Sequence, residues 1–250
     1  MNKKKFVYIF IGLIFVLIST FIYLSYFSHP SSFLSEKQLI EEINSTFPDA
    51  NVNKIQGIFD VNEKNKYVPF ISNNNSYGKS FWVWDKYKWR VAYIDTTGEP
   101  HIWKVNKRDP SSYHFVWNIH PDDQLKHINF YMIRDRGYSY TQVTKEMYYP
   151  RVQMQQTVSF EEETYGVLKI PEEWATFVRS INDTQLAKQS NLDVFFNQFS
   201  WEQHVYYGWI PYDQENKEAF PEKSVNGSGY SNGDIEIDYV MILNEWEVEK

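Results

Sequence analysis

After Lys3, Lys4 and Lys5 the chain runs from Phe6 to Phe27 without a charged residue, "FVYIFIGLIFVLISTFIYLSYF". As a helix, these 22 residues reach ~33 Å at ~1.5 Å each, enough for a hydrocarbon layer of ~30 Å. Lysines at the N-terminal edge of such a span stay cytoplasmic, and Tyr8, Tyr23 and Tyr26 lie near where aromatic belts form. A cleaved signal peptide has an apolar region of about 7–15 residues ending in a small-x-small site. This run is longer, and "IYLSYFSHP" has no Ala-x-Ala. A helix buried in a soluble core is disfavoured because the run is apolar all round and follows directly on a basic cluster. The expected organisation is therefore a cytoplasmic N-terminus at 1–5, a transmembrane signal anchor at 6–27, a linker "SHPSSF" at 28–33, and an extracytoplasmic domain at 34–250.

The outer part must be stable without covalent help, since the 250 residues include no cysteine. That excludes disulfides, thiolate zinc sites and cysteine nucleophiles. Aromatic residues make up 18%, with Tyr 19, Phe 18 and Trp 9, which favours sheet over helix bundles. Without the three N-terminal lysines the charge balance is 22 basic against 32 acidic residues, or −10. A body of that sign repels phosphate backbones, so no nucleic-acid partner is expected.

Two amphipathic helices are legible. "SEKQLIEEINSTF" opens with Ser35 and Gln38 in capping-box spacing, and Leu39, Ile40, Ile43 and Phe47 recur at helical intervals, predicting a helix from about 35 to 46. "PEEWATFVRSIND", 171–183, starts with Pro171 and places Trp174, Phe177, Val178 and Ile181 on one stripe. Between them, short strands alternate with turn chemistry. Three hairpins are expected, around "NEKN", "TTGE" and "DRG", joined as an antiparallel meander. "QHVYYGWIP" and "DIEIDYVMILNEWEVE" return to strand pattern. The fold class is thus α+β, a mainly antiparallel domain with two packed helices, and with a sandwich or closed barrel as the alternative to one open sheet.

Alternation assigns most of the aromatic residues to the interior. Taken as a strand from 87, one face carries Tyr87, Trp89, Val91 and Tyr93 and the other Lys88, Arg90, Ala92 and Ile94. Tyr113, Phe115, Trp117 and Ile119 likewise oppose His114, Val116, Asn118 and His120. Trp82 and Trp84 differ, because Phe81 and Val83 between them are also apolar. Either a helix covers the second face, or the two tryptophans form an exposed stacking platform for a ligand such as a sugar.

The densest polar cluster is "HPDDQLKH", where His120, Asp122 and His127 are candidates for a metal site or an acid–base pair. Pro-Asp-Asp is also ordinary turn composition. His114 and His120 are ~20 Å apart along one strand and cannot share an ion, and His29 and His204 have no sequence-local partner. The acids at 161–163 and at Asp234, Glu236 and Asp238 are candidates for a glycosidase carboxylate pair, though the latter three alternate with Ile235 and Ile237 as on the wet side of a strand. "NGSGYSNGD" lacks the order of a phosphate or dinucleotide loop and reads as a surface loop. No cofactor is implied. The expected function is an anchored extracytoplasmic binding or interaction module, its partners the bilayer through 6–27 and an envelope glycan or protein. An envelope hydrolase and an assembly component docking on another membrane protein are the alternatives.

Overall fold

The computed structural model describes residues 3–27, 30–141, 145–189 and 205–249. It is an α+β structure of three helices and three main sheets, antiparallel with a single parallel pair. Helix α1 (Lys3–Phe27) is continuous. Its described side chains, residues 8–20, are all exposed, Phe15 at 70% and Leu17 at 65%. The side chains at the expected span ends, Phe6 and Phe27, lie outside the described residues, as do linker residues 28–29. Among the described residues no helix is long and apolar enough to cross a membrane, the described side chains of α1 covering ~20 Å of rise.

The first sheet is built from β1 (Val52–Ile55), β3 (Asn65–Ser72), β4 (Tyr77–Asp85), β5 (Lys88–Asp95) and β14 (Gly229–Ser231) in that order, with β2 (Phe59–Asn62) also pairing β3. Helix α2 (Glu36–Thr46) covers one face. It starts where the sequence indicates, Ser35 and Gln38 closing a capping box, and it drives fully buried Leu39 and Ile43 against Val68, Phe70, Trp82 and Val91. The opposite face packs Tyr67 and Phe81 on Trp103 and Val116 of the next sheet.

Strand β5 departs from simple alternation. Phe81 pairs with Tyr93 but Trp82 pairs with Val91, so Ala92 is an extra residue, a β-bulge. Trp89 and Val91 therefore face α2, Tyr93 faces the second sheet, and Ile94 faces α2 again. This corrects the expected grouping of Tyr93 with Trp89. Nor does the strand begin at 87: Lys86 and Tyr87 form the two-residue turn, with φ of 48° and 67°. Positive φ at both central positions matches the turn that continues strand twist, at a backbone cost that glycine would avoid.

The middle sheet has the order β12 (Tyr165–Lys169), β7 (Tyr113–Asn118), β6 (His101–Lys104), β15 (Glu236–Tyr239). The third has β11 (Val152–Ser159), β8 (Leu125–Arg134), β13 (Val205–Asp213) and β16 (Met241–Ile242), the last two parallel. Between these sheets lies the largest core. Tyr113, Phe115, Trp117 and Ile119 all enter it, as their spacing predicts, against Phe130, Met132 and Trp209. Helix α3 (Glu172–Gln189) closes it with Trp174 and Val178, and Phe115 stacks on Phe130 at 4.2 Å. The molecule is thus layered: α2, first sheet, middle sheet, then third sheet with α3.

Of the three expected hairpins, the one around "NEKN" forms, as β2 and β3. The "TTGE" segment instead carries the chain from the first sheet to the middle one, since β5 and β6 do not pair. The "DRG" segment leads from β8 into a separate ribbon, β9 (Gly137–Thr141) with β10 (Lys145–Tyr149), while β8 pairs with β11 and β13. The expected surface loop "NGSGYSNGD" contributes β14 to the edge of the first sheet.

Burial separates the tryptophans sharply. Trp82→Ala should cost ~3–5 kcal/mol in denaturant unfolding followed by circular dichroism, because it empties a closed site between sheet and helix. Trp246→Ala, at 81% exposed, should stay within ~0.5 kcal/mol of the parent.

Candidate binding cleft

Trp82 has no exposed surface; its ring meets Phe33 edge-on at 5.8 Å and its Nε1 donates to Ser80 Oγ at 3.0 Å. Such a ring has no face to offer a ligand. Trp84 is half-buried and packs edge-on against Trp89 at 5.6 Å, so it flanks the same core.

His120 is engaged locally. Its Nδ1 accepts from the Asp122 backbone at 3.0 Å, its Nε2 lies 3.1 Å from the Asn75 carbonyl, and its ring packs on Tyr77 at 4.5 Å. The Asp122 carboxylate, 3.8 Å from Nδ1, points largely to solvent. His127 stands on β8, stacked on Tyr212 at 4.7 Å, with burial and then the Lys126 charge pushing its pKa down. Among the described residues no group of three or more His, Asp or Glu side chains is placed to hold a metal. Ser224 lies beside His120 but donates to Asp123 at 2.6 Å and accepts from the His120 backbone, not from its ring. That geometry does not make a nucleophile–base pair. His29 and His204 lie outside the described residues.

The structure assembles two polar groups that the sequence does not display, at opposite ends of the layer between the first and middle sheets. At one end Lys79 and Asp95 sit directly opposite each other on β4 and β5. The bulge at Ala92 matters here: it turns Asp95, with Tyr93, toward the middle sheet, where His101 begins β6. Lys79 is fully buried, and Asp95, Glu99 and His101 are 5%, 9% and 7% exposed. Its ammonium lies 3.5 Å from Asp95 Oδ2 and donates to His101 Nδ1 at 3.0 Å and to the Glu99 carbonyl. With Thr97 Oγ1 a further acceptor at 3.5 Å, the three donors do not lack partners, the condition for tolerating a buried charge. The loop that supplies Glu99 needs Gly98, where a Cβ would stand 2.1 Å from the Asn118 carbonyl oxygen.

Burial and charge tune this group. Burial lowers the Lys79 pKa against the opposing pull of Asp95 and Glu99, and raises that of Glu99 against Lys79. Burial and then the Lys79 charge push His101 down to about 3, so its imidazole stays neutral and accepts from the lysine. Tyr239 closes the outer side, its ring 6.2 Å from His101 and its hydroxyl bonded to the Glu99 carboxylate.

Six residues further along β4, ~20 Å away at ~3.3 Å each, the same layer opens into a cleft of about 560 Å³. Val83, Val105 and Ile235 continue the apolar core into it, and ion pairs line its walls. Arg90 pairs with Asp85 and, at 3.5 Å, with Asp234; Lys104 pairs with Asp238 and, at 3.7 Å, with Glu236; Lys107 reaches Glu236 at 3.2 Å. The alternating acids of β15 and its approach are therefore partners of these bases rather than a carboxylate pair facing a scissile bond. Pairs this exposed contribute ~0–1 kcal/mol each and exchange readily with a ligand's charges. Arg90 Nε is buried in the wall with no hydrogen-bond partner among the described residues. A buried donor without an acceptor is the feature a bound oxygen would satisfy.

The ion cluster has a pH signature. Folded, His101 protonates near 3; unfolded, near its ordinary value of 6.5. Between the two the unfolded chain binds more protons, so this contribution to stability is complete above pH ~6.5 and is lost as pH falls. Glu99, raised in the fold, works in the opposite sense. His101→Gln should therefore flatten the loss of stability between pH ~7 and pH ~4, read as denaturant midpoints against the parent chain. No protein-family model, curated protein or solved structure matches the chain.

Proposed function

We propose that the chain is a membrane-anchored extracytoplasmic binding module, held by residues 6–27 and binding its ligand in the cleft between the first and middle sheets. The observation that carries the anchoring is the uncovered apolar surface of α1: every described side chain from Tyr8 to Thr20 is exposed. Water does not tolerate so long an apolar surface, and the uncharged run extends beyond the described side chains to Phe6 and Phe27. The three lysines before it favour a cytoplasmic N-terminus and an external domain. Binding is supported by the cleft's volume, by its apolar floor with convergent charged walls, and by the unpartnered Arg90 Nε. A ligand rich in acceptor oxygens, such as an acidic glycan or a phosphorylated headgroup, suits those walls.

The test is membrane extraction combined with protease access. The full-length chain should remain in the pellet after alkaline carbonate, and protease added to intact cells should remove a C-terminal tag. Recovery in the soluble fraction, or a tag protected while known surface proteins are digested, would overturn the proposal.

A further inference from the structure

We infer that the end of the domain bearing the Lys86–Tyr87 turn rests on the membrane, and that the cleft beside it receives phosphate oxygens of anionic lipid headgroups. The inference rests on the anchoring proposed above and adds the ligand class and the orientation.

The first argument is chain length. Helix α1 ends at Phe27, and by Ser31 the chain is already fastened to the domain. Trp89 Nε1 donates to the Ser31 carbonyl at 3.1 Å, and Phe33 packs edge-on against Trp89 at 4.8 Å and Trp82 at 5.8 Å. Residues 28–30 alone intervene, and the four Cα steps from Phe27 to Ser31 reach at most ~14 Å. Trp89 stands two residues from Tyr87, whereas Tyr77, at the other end of β4, is seven residues or ~23 Å along the strand from Trp84, the residue that pairs with Trp89. The short tether therefore brings the Lys86–Tyr87 end, not the opposite one, to the bilayer.

The second argument is charge. Beyond the N-terminal lysines the chain has ten more acids than bases, yet the exposed side chains at this end include Lys64, Lys86, Lys88, Lys107 and Arg108. Counting the half-buried groups as well, this end holds eight bases, with Lys66, Arg90 and Lys104, against seven acids, Asp60, Glu63, Asp85, Asp109, Asp234, Glu236 and Asp238. A tip near charge balance on a domain that is otherwise acidic, next to the point where the chain leaves the membrane, is the end an anionic surface repels least.

The third is the surface chemistry. Tyr87 is 44% exposed at the turn, an amphipathic ring of the kind that sits at headgroup level. Lys86 has no ion pair among the described residues and lines the cleft with Arg90, whose Nε lacks an acceptor. A phosphate oxygen entering the cleft from the surface meets Lys86.

The absence of cysteine makes the test direct, because Tyr87→Cys and Asn74→Cys each give one labelling site, at opposite turns of the same sheet. The full-length chain is labelled with a donor dye, reconstituted into vesicles of phosphatidylcholine with or without phosphatidylglycerol, and read by energy transfer to headgroup-labelled lipid. Flotation is measured first. A chain that does not float overturns the anchoring itself and this inference with it. For a chain that floats, transfer from position 87 should exceed that from 74 several-fold. The difference should widen with phosphatidylglycerol and shrink in high salt or in the Lys86→Glu, Lys88→Glu, Lys107→Glu variant. Equal transfer from the two positions, or indifference to both phosphatidylglycerol and salt, overturns the inference while leaving the anchor standing. Inorganic phosphate that abolishes the phosphatidylglycerol effect at constant ionic strength assigns the cleft to free phosphate and overturns the lipid assignment. Because the salt and lipid arms use the native residues at the tip, the outcome does not depend on the charge-reversed variant folding.

Discussion

Strand β4 has no wet face along its middle. Phe81 and Trp82 are neighbours that point to opposite sides, and both are fully buried. A strand of this kind cannot lie at a solvated sheet surface, so one side must be covered by a helix and the other by a second sheet. The layering follows from that requirement: α2 supplies Leu39 and Ile43 to the Trp82 side, and the middle sheet supplies Trp103 and Val116 to the Phe81 side. The bulge at Ala92 lets β5 serve both covers, giving Trp89 and Val91 to the helix and Tyr93 and Asp95 to the sheet.

The same layer then acquires two different ends. Where β4 begins, Lys79 is enclosed with Asp95, His101 and the Glu99 carbonyl, its donors matched, and the layer is sealed. Where β4 ends, the ion pairs lie at the surface, Arg90 Nε is left without an acceptor, and the layer opens. A buried charge with all its partners rigidifies and specifies a packing; an open ladder of exposed pairs is exchangeable. The proposed ligand-binding chemistry belongs to the open end, although the strongly lowered pKa of His101 lies at the closed one.

Features set by local physics were legible in the sequence. The capping box fixes the start of α2, the i, i+3, i+4, i+7 stripe gives α3 its buried Trp174, Val178 and Ile181, and strict alternation carries Tyr113, Phe115, Trp117 and Ile119 inward. Features that depend on one extra residue or on distant pairing were not. A bulge at Ala92 leaves no local signature, and it inverts the facing of every residue after it, which hid Asp95. The "TTGE" segment has hairpin chemistry but joins two sheets, because turn residues report a bend and not which strands meet beyond it. The candidate site was the least visible part. Arg90, Lys104 and Asp234 belong to segments far apart in sequence, and the clustered histidines that drew attention in their place are occupied with turn and stacking contacts.

Polar substitution on each side of β4 tests the central constraint most directly. Phe81→Asp and Trp82→Asp each place an unpartnered carboxylate in a closed layer, one against the middle sheet and one under α2, so each should cost more than ~3 kcal/mol in denaturant unfolding, or abolish cooperative unfolding. Deleting Ala92 restores regular alternation and leaves Trp89, Val91, Tyr93 and Asp95 on their present faces, so it should cost less than either substitution. A Phe81→Asp or Trp82→Asp chain that unfolds cooperatively at the parent's midpoint would contradict the account, because it would mean that one face of β4 is open to water.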